Sequence, residues 1–224
     1  MSLEVAKVTY EPFTSLDIEC TGLNPEEHTL LEVGAAFYDG VHKTPLATIE
    51  FLVIPDHVEL TNPNFNLVGE PIALAMNAGI LKEIADAMID RKKNPPADSS
   101  EPLKTKDGKL VLEEGIGMAY LYDWMDHLMV THNLKKKHIL AGKNLNSLDI
   151  PFIKAKMGKE NLDKVVGFRT LDLTSMFAPF SRKTSPLKDI NRLRGLGEVS
   201  HRALQDAIET GAAIIDIYEK NLQW

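Results

Sequence analysis

Residues 13–40 read FTSLDIECTGLNPEEHTLLEVGAAFYDG. Two apolar runs, 13–19 and 30–38, flank the turn-forming Asn24-Pro25-Glu26-Glu27, and Asp39-Gly40 follows the second run as a hairpin signal. A third run, within His42 to Ile54, ends at Pro55. Three strands with such short connections predict an antiparallel meander. Alternate side chains of a strand share a face, so Asp17 and Glu19 project side by side while Ile18 points the other way. Two carboxylates this close repel, and keeping both ionised takes a cation or abundant water. Taken alone, the pair fits a solvated strand end as well as a metal site. The rest of the chain has to decide.

From Glu70 to Arg91, apolar residues recur at helical spacing (Ile72, Ala75, Met76, Ile80, Leu81, Ile84, Ala85, Met88), with a break expected at Gly79. The polar stretch KKNPPADSSEPLKTKD, residues 92–107, contains three prolines. It reads as part of a surface insertion spanning about 92–112, with a small hairpin at Asp107-Gly108, because neither flanking half looks complete alone. A Met-rich helix is predicted over 113–133 and a strand over 138–142. The polar turn 143–149 then enters a helix with Pro151 in its first turn. Asp149 falls at that helix N-terminus, where exposed N–H groups favour a carboxylate, and this is already a sufficient reason for it to be there. A strand over 168–173, a helix from Thr174, a helix over 185–194 capped by Gly195 and a last helix from about 202 to 221 complete the order. The pattern predicts one α/β domain: a mixed five-stranded sheet, antiparallel meander first and parallel strands after, with helices on both faces.

Composition narrows the partners. The 224 residues carry 25 Lys and Arg against 32 Asp and Glu, a net charge of −7, so the chain does not advertise a general phosphate binder, although an acidic metal site would itself raise the negative count. The single Cys20 excludes an internal disulfide and suits a reducing compartment. MSLEVAKVTY has no apolar signal region and no run nears about 18 apolar residues, so a cytoplasmic protein without a membrane partner is expected. Lys135-Lys136-Lys137 reads as a solvated turn, with contact to nucleic-acid phosphates as the alternative. The sequence leaves monomer and homodimer open.

The acids at element ends form a pattern of their own. Asp17 and Glu19 end the first strand, Asp149 opens a helix, and Asp206 lies in the last helix, five residues after His201. Five residues rotate a helix by about 140°, so His201 is expected at the helix entrance or in the loop before it, free to turn toward a site that Asp206 lines.

The segments DIECTGL, GKNLNSLDIPFI and SHRALQDA resemble, in order, spacing and flanking residues, the three motifs of the DEDDh (DnaQ-like) 3′→5′ exonucleases, which have the ribonuclease H-like fold. The resemblance runs from about Thr14 to about Ile215 and departs at Lys143-Asn144, where the family often has His-Asn, and in one extra residue before Asp149. It implies that Asp17, Glu19, Asp149 and Asp206 bind two divalent cations, Mg²⁺ or Mn²⁺, since oxygen donors select hard ions. It further implies that His201 is the general base, with Glu19 also at the reacting end, and that Thr21, Gly22 and Leu23, with Asn77 more loosely, receive the 3′-terminal nucleotide. The activity implied is release of nucleoside 5′-monophosphates from 3′ ends of single-stranded nucleic acid, DNA first. The alternatives are an RNA-trimming exoribonuclease or oligoribonuclease of the same family and, more distantly, a relative that binds nucleic acid without cutting it.

Overall fold

A computed structural model describes residues 10–54, 67–96, 98–181, 189–190 and 201–221, without the side chains of 179–181 and 220–221. Strands β1 (Phe13–Cys20), β2 (Leu30–Tyr38) and β3 (Ala47–Ile54) form the antiparallel meander. Helices α1 (Pro71–Met76) and α2 (Ala78–Lys93) follow, then the short strands β4 (Leu103–Lys104) and β5 (Leu110–Glu113). Next come α3 (Glu114–Thr131), β6 (His138–Gly142), α4 (Asp149–Met157), α5 (Lys159–Val165), β7 (Val166–Asp172), α6 (Leu173–Ser181) and α7 (Ala203–Asn221).

All seven strands lie in one sheet in the order β4-β5-β3-β2-β1-β6-β7. Strands β6 and β7 run parallel to β1, and β5 runs parallel to β3. The mixed sheet is the expected one, with seven strands in place of five. The difference comes from the 92–112 segment. Its first residues, Lys92 and Lys93, finish α2, and its hairpin pairs with the edge of β3 through Phe51 and Leu110. Gly108, at φ +88°, makes the hairpin turn. Two smaller departures follow from local chemistry. The helical stretch over 70–91 breaks at Asn77, not Gly79, and Gly158 at φ +84° ends α4 so that a separate α5 can start. The expected helix over 185–194 and the loop to Ser200 lie outside the described residues, apart from Asp189 and Ile190, which are helical.

Period-two patterning places the layers. Leu16, Ile18 and Cys20 of β1 and Val33 and Ala35 of β2 face a core shared with Met118, Leu121 and Met125 of α3 and with Phe152 and Ile153 of α4. Phe13, Ala36 and Tyr38 face the opposite core, built with Ile214 and Ile217 of α7. On that same side Leu52 and Ile54 pack against Ile80 and Ile84 of α2. Every residue of β2 is buried, as suits a strand sandwiched between two helical layers. Asp17 and Glu19 share the α7 side with Phe13, at the end of β1 where the ladder has a bulge. Among the described residues, no helix is long and apolar enough to cross a membrane.

Candidate metal centre

Three distant segments supply the acids. Strand β1 brings Asp17 and Glu19 to the carboxyl ends of the parallel strands β1 and β6, the usual position of a ligand site in an α/β sheet. After β6 the chain turns through Asn144, whose φ of +56° is one of three positive values outside glycine among the described residues. That turn delivers Asp149 as the first residue of α4, where it is only 2% exposed. The Ile18 N–H, between the two β1 acids, donates to Asp149 Oδ1 at 3.1 Å. Helix α7 brings Asp206 in its first turn, 5% exposed.

Helix α7 can come this close because residue 34 of β2 is glycine. A Cβ there would lie 2.1 Å from the Leu204 nitrogen. His201 precedes the helix by two residues, exposed, at φ +51°. One ligand atom each from Glu19, His201 and Asp206 lies within 4.8 Å of the others.

The charges register the crowding. Burial, then Asp149, Glu19 and Asp206 in turn, push the Asp17 carboxyl well above its ordinary value. Burial is also the main cause that raises Asp149 to about 8, with Glu19 adding to it, while backbone N–H groups and the Lys143 ammonium pull the other way. Glu19 rises to about 7 by burial and by the fields of Asp206 and Glu32, opposed by an Asn77 hydrogen bond and by Arg202. Carboxylates gathered this way hold protons until a cation replaces them. A set of carboxylate oxygens with one imidazole at its rim fits Mg²⁺ or Mn²⁺.

The residues expected to seat a 3′ end lie beside Glu19 but differ in what they offer. Thr21 is fully buried; its hydroxyl donates to Val68 O at 2.7 Å and accepts from Thr29 N–H at 2.9 Å, so its side chain is spent on the turn itself. Gly22 is buried against the His28 imidazole, which a Cβ would meet at 2.5 Å. Leu23 stands 68% exposed. Asn77, 3% exposed, donates from Nδ2 to Cys20 O at 2.9 Å, while its buried Oδ1 has no hydrogen-bond partner among the described residues.

Sequence reasoning missed the cations and the acid around this cluster. Glu32 pairs across the ladder with Glu19 and is fully buried. It accepts from Lys109 Nζ at 2.9 Å, Arg202 Nη2 at 2.9 Å and Ala203 N–H at 2.9 Å. Lys109 also bonds Glu50 at 2.6 Å, and Arg202 reaches Glu83 of α2 at 2.7 Å. The available signals were a charged residue inside the apolar LLEVG and an Arg directly after His201. Neither names its partner.

No family model and no curated protein sequence matches the chain. Solved structures do. Exonuclease I of E. coli in complex with a dT13 oligonucleotide matches with a TM-score of 0.60 at 14% identity, over 96% of this chain and 43% of that one. The zinc-bound form of the E. coli ExoI–ssDNA complex gives 0.59 at 13%, over 95% and 41%. A 3′-exonuclease in a structure of 3′-end-specific recognition of a histone mRNA stem-loop gives 0.58 at 14%, over 94% and 64%. The chain has the fold of these exonucleases. It spans less than half the length of exonuclease I.

Proposed function

We propose that the chain is a divalent-metal-dependent 3′→5′ exonuclease acting as a single catalytic domain on single-stranded ends, DNA first, and releasing nucleoside 5′-monophosphates. The observation that carries this is the convergence of Glu19, His201 and Asp206 on one point, with Asp149 close enough to raise the proton affinity of Asp17 and Glu19 close enough to raise that of both. Asp17, Glu19, Asp149 and Asp206 hold the ions. Two divalent ions, when bound, supply an acidified water and neutralise charge on the phosphate and the leaving oxygen. His201 takes the proton of the attacking water, a task that suits an imidazole at neutral pH. The hydroxide oxygen bonds to phosphorus, the P–O3′ bond breaks, and the leaving 3′ oxygen takes a proton from solvent, so that the shortened strand ends in a 3′-hydroxyl. Leu23, exposed beside the site, packs against the terminal base. Asn77 Oδ1, without a partner among the described residues, accepts from the terminal 3′-hydroxyl, beside the Thr21-Gly22 turn.

The test is a 5′-labelled oligonucleotide series: single-stranded DNA, duplex DNA, RNA and a dinucleotide, each with Mg²⁺, Mn²⁺ or EDTA. The expected result is a ladder shortening from the 3′ end with either metal, fastest on single-stranded DNA, absent in EDTA and absent in Asp149→Asn. Fastest cleavage of RNA or of the dinucleotide would move the assignment to the exoribonuclease or oligoribonuclease reading. No shortening of any substrate would leave a binding protein without catalysis.

A further inference from the structure

We propose that Lys109, on the hairpin built from the 92–112 segment, is a positioning residue for His201, acting through Glu32 and Arg202. The path is short and mostly buried. The Lys109 side chain is 9% exposed and that of Glu32 is 0% exposed, 2.9 Å apart. Glu32 grips the two residues that follow His201, taking Arg202 through Nη2 and Nε, at 2.9 and 3.2 Å, and the Ala203 N–H at 2.9 Å. His201 itself stands in a left-handed conformation at φ +51°, which a non-glycine residue keeps only where its surroundings impose it. The clamp on residues 202 and 203 is the adjacent imposition, and it fixes the angle at which the chain presents His201 to Glu19 and Asp206.

The charges explain why the hairpin is needed. Among the described residues, Glu32, Glu50 and Glu83 meet two cations, Lys109 and Arg202. Without Lys109, Arg202 is the cation left among the described residues for a fully buried Glu32 and the half-exposed Glu83 of α2, and a buried carboxylate short of a cation is costly. Arg202 is drawn toward Glu32 and away from Glu83, and the backbone at 201–203 moves with it. A segment that looked like a polar surface insertion thus braces the candidate base from about 90 residues away in sequence.

This rests on the reading of His201 as the base, so the test has one arm that needs no activity. The imidazole Cε1–H resonance of His201, assigned by its loss in His201→Ala, is followed by NMR in the metal-free chain. It is expected to move in Lys109→Met and to return toward its original position in Lys109→Arg, while the resonance of buried His138 stays. In the second arm, kcat for Mn²⁺-supported shortening falls roughly tenfold in Lys109→Met with KM unchanged, since a displaced base loses part of its contribution. In the His201→Ala background the same substitution causes no further fall. An unmoved His201 resonance, or an equal fall in both backgrounds, would overturn the proposal, because a brace that merely stabilises the fold acts with or without His201. If the wild-type chain does not shorten any substrate but the resonance moves, the positioning stands and the exonuclease reading fails. Should Lys109→Met not fold, Lys109→Gln, which keeps a hydrogen-bond donor toward Glu32 and removes the charge, carries the same two readouts.

Discussion

At the scale of single residues, the site is a balance between repulsion and occupancy. Asp149 is buried and accepts the Ile18 N–H. Replacing it by Asn keeps a carbonyl oxygen for that N–H and removes one charge from the cluster. Asp149→Asn is therefore expected to raise the melting temperature in EDTA at about pH 8 and to abolish the rise that Mg²⁺ or Mn²⁺ gives the wild type. A lower melting temperature in EDTA would show that the carboxylates do not repel in the free chain. His201 separates base from ligand. His201→Ala is expected to lower kcat by about 10²–10⁴ and to change Mn²⁺ affinity, measured by calorimetry, by no more than a few fold. A parallel loss of affinity would make His201 a ligand, a role its distance to Glu19 and Asp206 also allows.

At the scale of elements, the decisive contact is α7 on β2. Gly34 meets backbone atoms of Ala203 and Leu204, and a backbone cannot move aside by changing a rotamer. Gly34→Ala must push the first turn of α7 outward, carrying Asp206 and His201 with it. The expected cost is about 3 kcal/mol, the upper end for overpacking, with loss of the metal-induced rise in melting temperature. Gly117→Ala is the internal control. Its Cβ would meet the Phe51 ring at 2.7 Å, where a side chain can yield, and the gain of about 1 kcal/mol from Ala over Gly in a helix offsets part of the strain. A smaller effect at Gly34 than at Gly117 would mean that the first turn of α7 does not rest on β2 at Gly34. The same contact shows what a sequence hides. The period-two runs make β1, β2 and β3 readable, and HILAG marks β6 residue for residue, because a buried strand needs an apolar run. Nothing in the single-hydrogen side chain at position 34 says which backbone will lie on it. Likewise β4, two residues long, has no periodicity of its own and exists only because the edge of β3 is there to pair with its hairpin.

At the scale of the molecule, the positions of the acids were legible but their electrostatics were not. Asp17 and Glu19 could be placed from strand alternation, and Asp149 and Asp206 from their helices. The ion pairs that hold Arg202 join residues up to 170 apart in sequence, and no local rule links them. The charge state that results has a consequence for the whole chain. Folded, Asp149 keeps its proton up to about pH 8 and Glu19 up to about pH 7, against ordinary values of 3.8 and 4.5. Between those limits the folded chain binds more protons than the unfolded one. The contribution to stability is complete at the acid end and is lost as pH rises through the folded values. His138 works in the opposite sense, since burial lowers its value below 6.5, but that effect is spent above 6.5. Glu32 and Asp39, held below the usual carboxylate range, matter only at lower pH. A scan from about pH 6.5 to about 8.5 therefore isolates the acidic cluster. One extra proton is worth about 1.4 kcal/mol per pH unit, and about 1 kcal/mol moves the midpoint of a chain this size by roughly 2–4 °C. In EDTA the melting temperature is expected to fall by several degrees across the scan. With Mg²⁺ or Mn²⁺ the fall is smaller, because each ion competes with protons and binds better as they leave. Asp149→Asn flattens the EDTA slope. A melting temperature that rises with pH in EDTA would mean that the four carboxylates are already ionised and separately solvated, and the cluster would lose its claim to be a metal centre.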